Sequence, residues 1–341
     1  MTGMFLGVGS VKSGFGFASL LLGTQRDGER FVPDWRSATA VDYSCFTTNA
    51  STVSGLDVAV THGGPVVGCC PKTAAGPPMA EDRSDSKGKT QRRVMFGWLQ
   101  HGYMSVPRLP YENTIALPRD LSVVTLPNPY GGGTRRVLRQ SFVPELKALR
   151  RGPPVKSTYA SIVPNGSPLW VGSGGNQLEV LANFTVPRGL ASGRFGLWVL
   201  ANRNATERTL VEFDPLARLV KVDRRHSGDA FGIGNDSDVR AGPWPTVDDG
   251  SGLLATDLSV HIYVDRSIVE LIVNGQTALT VYVHPSHADS IGLALFYSAA
   301  SEEGEAADGG DDASGGGVQA SVEAYELDAA PLTSMVAVDV K

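Results

Sequence analysis

The sequence predicts an all-β fold that ends in a two-sheet antiparallel sandwich. Three observations predict it. Short alternating apolar runs recur along most of the chain, and turn formers are abundant between them, with 40 Gly and 21 Pro. The third is the stretch LSVHIYVDRSIVELIVNGQTALTVYVHP, residues 258–285, which reads as three strands joined by two sharp corners. Leu258, Val260, Ile262 and Val264 share one face of its first strand. Val269, Leu271 and Val273 do so in the second, and Leu279, Val281 and Val283 in the third. Asn274-Gly275 is the pair that a hairpin turn with positive φ at both positions demands.

The other elements follow in order. FASLLLGT (17–24), RRVMFGWLQ (92–100), NTIALPRDLSVVTL (113–126) and RRVLRQSF (135–142) read as strands of a first region, residues 1–142. Between them, residues 63–91 are rich in Gly, Pro and charge and read as a surface insertion or a disordered loop. Pro144 and Glu145 open, and Gly152-Pro153 close, one short helix in a linker at 143–154. From 155 to 341 the pattern is β throughout. NQLEVLANFTV (176–186), GRFGLWVLAN (193–202), RTLVEFDP (208–215), RLVKVDR (218–224) and VQASVEAYELDAA (318–330) supply further strands. Residues 301–317 read as an acidic, Gly-rich solvated loop.

Composition excludes several functional classes. With 341 residues, 42% hydrophobic and 19% charged, the chain is long enough for about two folded domains. Net charge is −5 and the basic residues are scattered in pairs, which is no electrostatic footprint for nucleic acid. No apolar run approaches the ~18 residues of a membrane helix, and the N-terminal stretch has no basic start, so no signal peptide is visible. Cys45, Cys69 and Cys70 carry no zinc spacing and are read either as buried free thiols or as a disulfide from Cys45 to the adjacent pair. Five Asn-x-Ser/Thr sequons, at Asn49, Asn165, Asn183, Asn204 and Asn235, favour a secretory history; the one at Asn165 is weakened by Pro168.

The segments RRVMFGWLQ, YENTIALPRDL, VLRQSFVPELKALR, LVKVDRRHS and IYVDRSIVELIVNGQTALT together resemble the C-terminal portion of glycoside hydrolase family 32, the β-fructofuranosidases. Gly97-Trp98 fits the family's strand ending in Gly-Trp. Pro118-Arg119 fits the close of its Trp-x-Gly-x-x-x-x-Pro-Arg segment, with Tyr111 in place of the Trp. Gln140, Glu145, Leu146, Leu149 and Arg150 fit the linker, and Asp265, Arg266, Ser267 and Glu270 fit the Asp-Arg-Ser-x-x-Glu corner of the sandwich. Upstream, Asp42-Tyr43 and Phe46 match, while Thr47 replaces a Tyr.

The resemblance implies a partial five-bladed β-propeller of about two blades in 1–142, followed by the sandwich. It implies hydrolysis of β-fructofuranosyl bonds in sucrose or fructans, or fructosyl transfer, with no cofactor and a secreted or vacuolar location. Trp98, Tyr43 and Phe46 become candidates to line one side of a sugar pocket. The sandwich becomes a surface for association.

Retaining hydrolysis needs two carboxyl groups about 5–5.5 Å apart. The family places its nucleophile in Trp-Met-Asn-Asp-Pro-Asn-Gly, a stabilising Asp in Arg-Asp-Pro and its acid/base in Glu-Cys, and this sequence holds none of the three. The expectation is therefore a truncated or inactive form with no catalytic residue assigned. The alternative is a non-catalytic carbohydrate-binding or regulatory homologue. Glu112, Glu145 and Glu270 are the carboxylates that tempt as substitutes, and His284-Pro-Ser-His287 tempts as a metal pair; a paired or solvated side chain is the expected reading of each carboxylate, and the His pair has no third ligand nearby in sequence. The corner Asp265-Arg266-Ser267 is expected to serve turn geometry, with its Asp and Ser on local backbone amides and its Arg on a carboxylate of the same sheet.

Overall fold

The computed structural model describes the backbone of residues 2–10, 15–24, 32–33, 39–40, 69–76, 92–100 and 113–115. Residues 116–128, 132–190, 193–228, 239–247, 251, 253–299 and 317–329 are described with their side chains except at Ser173, as are those of Val94, Met95 and Ile115. Every strand pairing among them is antiparallel.

Two blade-like sheets come first. β1 (Thr2–Ser10), β2 (Phe15–Thr24), β3 (Val32–Pro33) and β4 (Thr39–Ala40) form a four-stranded sheet centred on β2. β5 (Cys69–Gly76), β6 (Arg92–Gln100), β7 (Asn113–Ile115), β8 (Arg119–Pro127) and β9 (Thr134–Phe142) form a five-stranded one. β5 lies inside the 63–91 stretch that composition marks as an insertion, yet its backbone pairs with β6 from Gly76↔Arg92 to Cys69↔Trp98. Composition misleads there because Thr73, Ala74 and Ala75 carry little apolar surface, while pairing needs only backbone groups. The rest of 63–91, and the 301–316 part of the acidic loop, lie outside the described residues.

The expected linker helix is a 3-10 helix of six residues, Pro144–Leu149. It ends early because residue 150 has other work. Arg150 forms a β-bridge with Leu327, and its neighbour Arg151 donates its N–H to the Glu326 carbonyl at 2.8 Å. The backbone is thus captured by the sandwich before a longer helix can grow.

The sandwich has two six-stranded sheets. The first runs β10 (Lys156–Ile162), β21 (Val318–Glu326), β12 (Gln177–Thr185), β17 (Asp257–Asp265), β18 (Ile268–Val273), β19 (Thr277–Tyr282). The second runs β11 (Leu169–Ser173), β20 (Gly292–Ser298), β13 (Arg194–Ala201), β14 (Thr209–Asp214), β15 (Leu219–Asp223), β16 (Val239–Pro243). The alternating apolar residues of 258–283 all enter the core between these sheets. Phe184 of the first sheet meets Phe195 and Phe213 of the second, with ring centroids 5.6 and 5.3 Å away. On the β16/β19 side the layers are tied together, Thr277 donating its hydroxyl to the Pro243 carbonyl at 2.6 Å.

The first corner of 258–285 turns in two residues, Arg266 and Ser267, and the second in three, Asn274, Gly275 and Gln276. Asn274 and Gly275 have φ of 49° and 65°, as the sequence requires. At the charged corner Arg266 has φ 55° and donates its N–H to the Asn176 carbonyl, and Val283 donates to the Ser267 carbonyl at 2.8 Å. The Asp265 carboxylate accepts from the Gln177 side chain at 3.0 Å. The corner is structural, but by another route than expected: the arginine–carboxylate pair that the Asp-Arg-Ser-x-x-Glu segment makes is formed by Glu270, with an arginine of the blade.

Candidate functional site at the blade–sandwich junction

β18 reads Ile-Val-Glu-Leu-Ile-Val and is buried along its whole length, on both faces. Its inner face is the sandwich core. Its outer face carries Ile268, Glu270 and Ile272, and the last blade lies over it. Phe142 and Val143, where β9 ends, pack with Val94 and Leu146 against Tyr263, Ile272 and Ala278. Phe142 meets His261 and Tyr263 edge-on, with centroids 5.0 and 4.8 Å away. Gln140 donates its N–H to the carbonyl of Gly275 in the hairpin turn at 2.9 Å.

Two arginines fix this apolar contact. Arg119, the first residue of β8, is 1% exposed and Glu270 is 3% exposed. The Arg119 guanidinium donates to Glu270 Oε2 at 3.1 Å and to Thr280 Oγ1 at 2.6 Å. The other carboxylate oxygen, Oε1, accepts the Leu117 N–H at 2.8 Å. A charge buried this deeply is tolerable only when paired and hydrogen-bonded in this way.

The second arginine is Arg150, just after the 3-10 helix. Its Nε and Nη2 donate to the two oxygens of Glu179 at 2.6 and 2.9 Å, a bidentate fork. His261 Nε2 lies 2.8 Å from Glu179 Oε1. The Arg150 guanidinium also lies over the Tyr325 ring, 3.8 Å from its centroid. Burial pushes the Glu179 carboxyl upward, but hydrogen bonds from Arg150 and His261 outweigh it and hold it at about 2. The Tyr263 phenol is pushed up, first by burial and then by the negative charge of Glu179. Neither Glu179 nor Glu270 is placed to attack a sugar: each is turned inward onto donors of its own chain. The site's chemistry is mechanical, fixing the last blade on one sheet of the sandwich.

The residues singled out from sequence fall into three groups. Trp98 lies on β6 with Cys69 and Ile115 as strand partners, and its side chain is outside the described residues, as are Tyr43, Phe46 and Glu112 altogether. Glu145 is exposed in the first turn of the 3-10 helix, and Glu270 is the buried latch described above. The His284–His287 turn wraps a buried carboxylate: Ser286 and His287 donate their N–H groups to Glu207 at 2.7 and 3.1 Å, and the Ser290 hydroxyl also reaches it. Among the described residues no group of three or more His, Cys, Asp or Glu is placed to hold a metal.

Sequence reasoning passed over Glu179, His261, Tyr263, Thr280 and Phe142. The available signal was the outer register of the same strands. His261 and Tyr263 alternate with the core residues, and β18 and β19 have too few polar side chains for a face open to water.

Fold and junction define a class: a propeller-type blade region latched to a β-sandwich. Comparison with known proteins narrows it. Residues 145–308 match the family description "Glycosyl hydrolases family 32 C terminal". The extracellular exo-inulinase of Aspergillus awamori is 27% identical over 197 residues, spanning 57% of this chain and 34% of the relative. That of Aspergillus ficuum is 28% identical over 198 residues, again 57% and 34%. Among solved structures, Aspergillus kawachii β-fructofuranosidase complexed with glycerol superposes with a TM-score of 0.67 at 18% identity, over 95% of this chain and 54% of that one. Exo-inulinase from Aspergillus awamori gives 0.64 at 22% identity, over 92% and 50%. The chain thus spans about a third of the length of its curated relatives, and the fold resemblance reaches across both blade sheets and the sandwich.

Proposed function

We propose that the chain is the C-terminal part of a secreted β-fructofuranosidase-type glycosidase, acting on fructans or sucrose, and that these 341 residues do not cleave the substrate by themselves. The observation that carries this reading is the junction: the family's blade, linker and sandwich segments meet in one buried contact through Arg119–Glu270 and Arg150–Glu179. Its role is to hold the last blade in place for an active site formed elsewhere in the propeller. The exo-inulinase relatives support fructans as the substrate class, and their extracellular description supports secretion.

The absence of cleavage follows from chemistry. Without a positioned nucleophile no fructosyl–enzyme intermediate forms, and without a general acid a factor of roughly 10²–10⁴ is lost. The test is release of glucose and fructose from sucrose, and of fructose from inulin, by the purified chain, with Glu112→Gln alongside. The expected result is no release above the buffer blank in either protein. Turnover lost in Glu112→Gln would overturn the reading and make Glu112 a catalytic acid.

A further inference from the structure

The outer face of the first sandwich sheet changes character away from the blade. Tyr159, Ser321, Asn183 and Ser259 stand side by side across β10, β21, β12 and β17. The next outward-facing row is Ser161, Gln319, Thr185 and Asp257. These eight positions hold hydroxyls, amides, one carboxylate and one phenol, with no Lys or Arg. Tyr159 is 76% exposed.

Asn183-Phe184-Thr185 is one of the five sequons. The two-residue period of a strand puts its Asn and Thr on one face and its middle residue on the other. Here Asn183 and Thr185 are exposed, while Phe184 is 1% exposed in the core. The fold uses the Asn183 amide little: its Nδ2 reaches Ser321 Oγ only at 3.5 Å. Its cross-strand neighbours are both serines, so nothing bulky stands over it. Tyr159 is two strands away, roughly 10 Å at the usual strand spacing, within reach of the first sugars of a chain attached at Asn183.

From this placement we infer that Asn183 is an N-glycosylation site whose glycan lies along these polar rows and stacks on Tyr159. The inference rests on the secretory reading above. The donor is a lipid-linked pyrophosphoryl oligosaccharide. The Asn183 Nδ2–C1 bond forms, the C1–O bond to pyrophosphate breaks, the pyrophosphate leaves with the electron pair, and the amide loses one proton. Transfer takes place on the unfolded chain, and the fold accommodates the product because Asn183 points to solvent. The hydroxyls of the two rows can bond the sugar, and the phenol ring offers its apolar face.

The test is expression of the whole chain behind a cleavable signal sequence in yeast, with glycopeptide mapping by mass spectrometry. The exposed turn sequon at Asn204, whose Oδ1 accepts from the Thr206 hydroxyl at 2.9 Å, serves as an internal control. The expected result is a glycan at Asn183, lost equally in Asn183→Gln and Thr185→Ala and retained in Asn204→Gln. Tyr159→Ala should leave occupancy unchanged and speed endoglycosidase release from the folded protein several-fold. An unmodified Asn183 in secreted protein that carries sugar at Asn204 overturns the site. Unchanged release in Tyr159→Ala overturns the stacking. Failure of the secretory reading is visible separately, as native protein confined to the cells of its source.

Discussion

The two ends of one sheet's outer face make an instructive contrast. At one end His261, Tyr263, Glu270, Ile272, Ala278 and Thr280 lie under the blade. At the other, Tyr159, Asn183, Thr185, Ser259 and Ser321 face solvent. The strands are continuous and their inner faces are alike, mostly Val, Leu, Ile, Ala and Phe in the sandwich core. What differs is the neighbour. Where the blade covers the sheet, Glu270, Thr280 and His261 each have a polar partner and the rest is apolar. Where water covers it, small polar side chains suffice. A β-sheet face therefore records what lies above it, strand by strand.

The contrast breaks most sharply at Glu270. Glu270→Ala should lower stability by about 3–5 kcal/mol, because it leaves the Arg119 charge buried without its carboxylate. The denaturant midpoint measures this. The double variant Arg119→Met/Glu270→Leu should recover most of the loss, since an apolar pair asks for no desolvation. If the double variant is as unstable as the single one, the pair is needed for more than neutralising buried charge.

A second, pH-dependent effect belongs to Glu179. Its carboxyl is held at about 2, below the ordinary carboxylate value of 4.5. The folded state thus binds the proton more weakly than the unfolded state does. The stabilisation is present above pH 4.5 and is lost as pH falls from there toward 2. Urea midpoints taken across this window should fall more steeply for the parent chain than for Glu179→Gln, which has no carboxyl to titrate. Parallel curves would mean that the Arg150 fork does not hold the linker in solution.

The smallest effect is expected at the open end. Ser259→Ala and Ser321→Ala should each change stability by no more than about 0.5 kcal/mol, as surface substitutions usually do. A loss above 2 kcal/mol at either position would show that this end is covered as well, and the contrast would fail.

The strands of 258–285, their inward registers and the Asn274-Gly275 turn follow from sequence alone, because period-two alternation and positive-φ turn chemistry are local properties. So do the blade strands of 113–126 and 135–142, apart from the break that divides the first into β7 and β8. Glu270 shows where local reasoning stops. In the sequence it is one carboxylate in an apolar strand, readable as a solvated or paired side chain but with no partner to name. Its partners Leu117 and Arg119 lie 153 and 151 residues away, and only the docking of blade on sandwich brings them together. Likewise the linker's length was set less by its helix signals than by the capture of Arg150 by Glu179 and Leu327. The sequence by itself determined the strands, their faces and the family resemblance, since each depends on residues a few positions apart. Only the tertiary structure decided which outer faces are buried and which carboxylates are locked, because burial and charge pairing are set by contacts between distant segments.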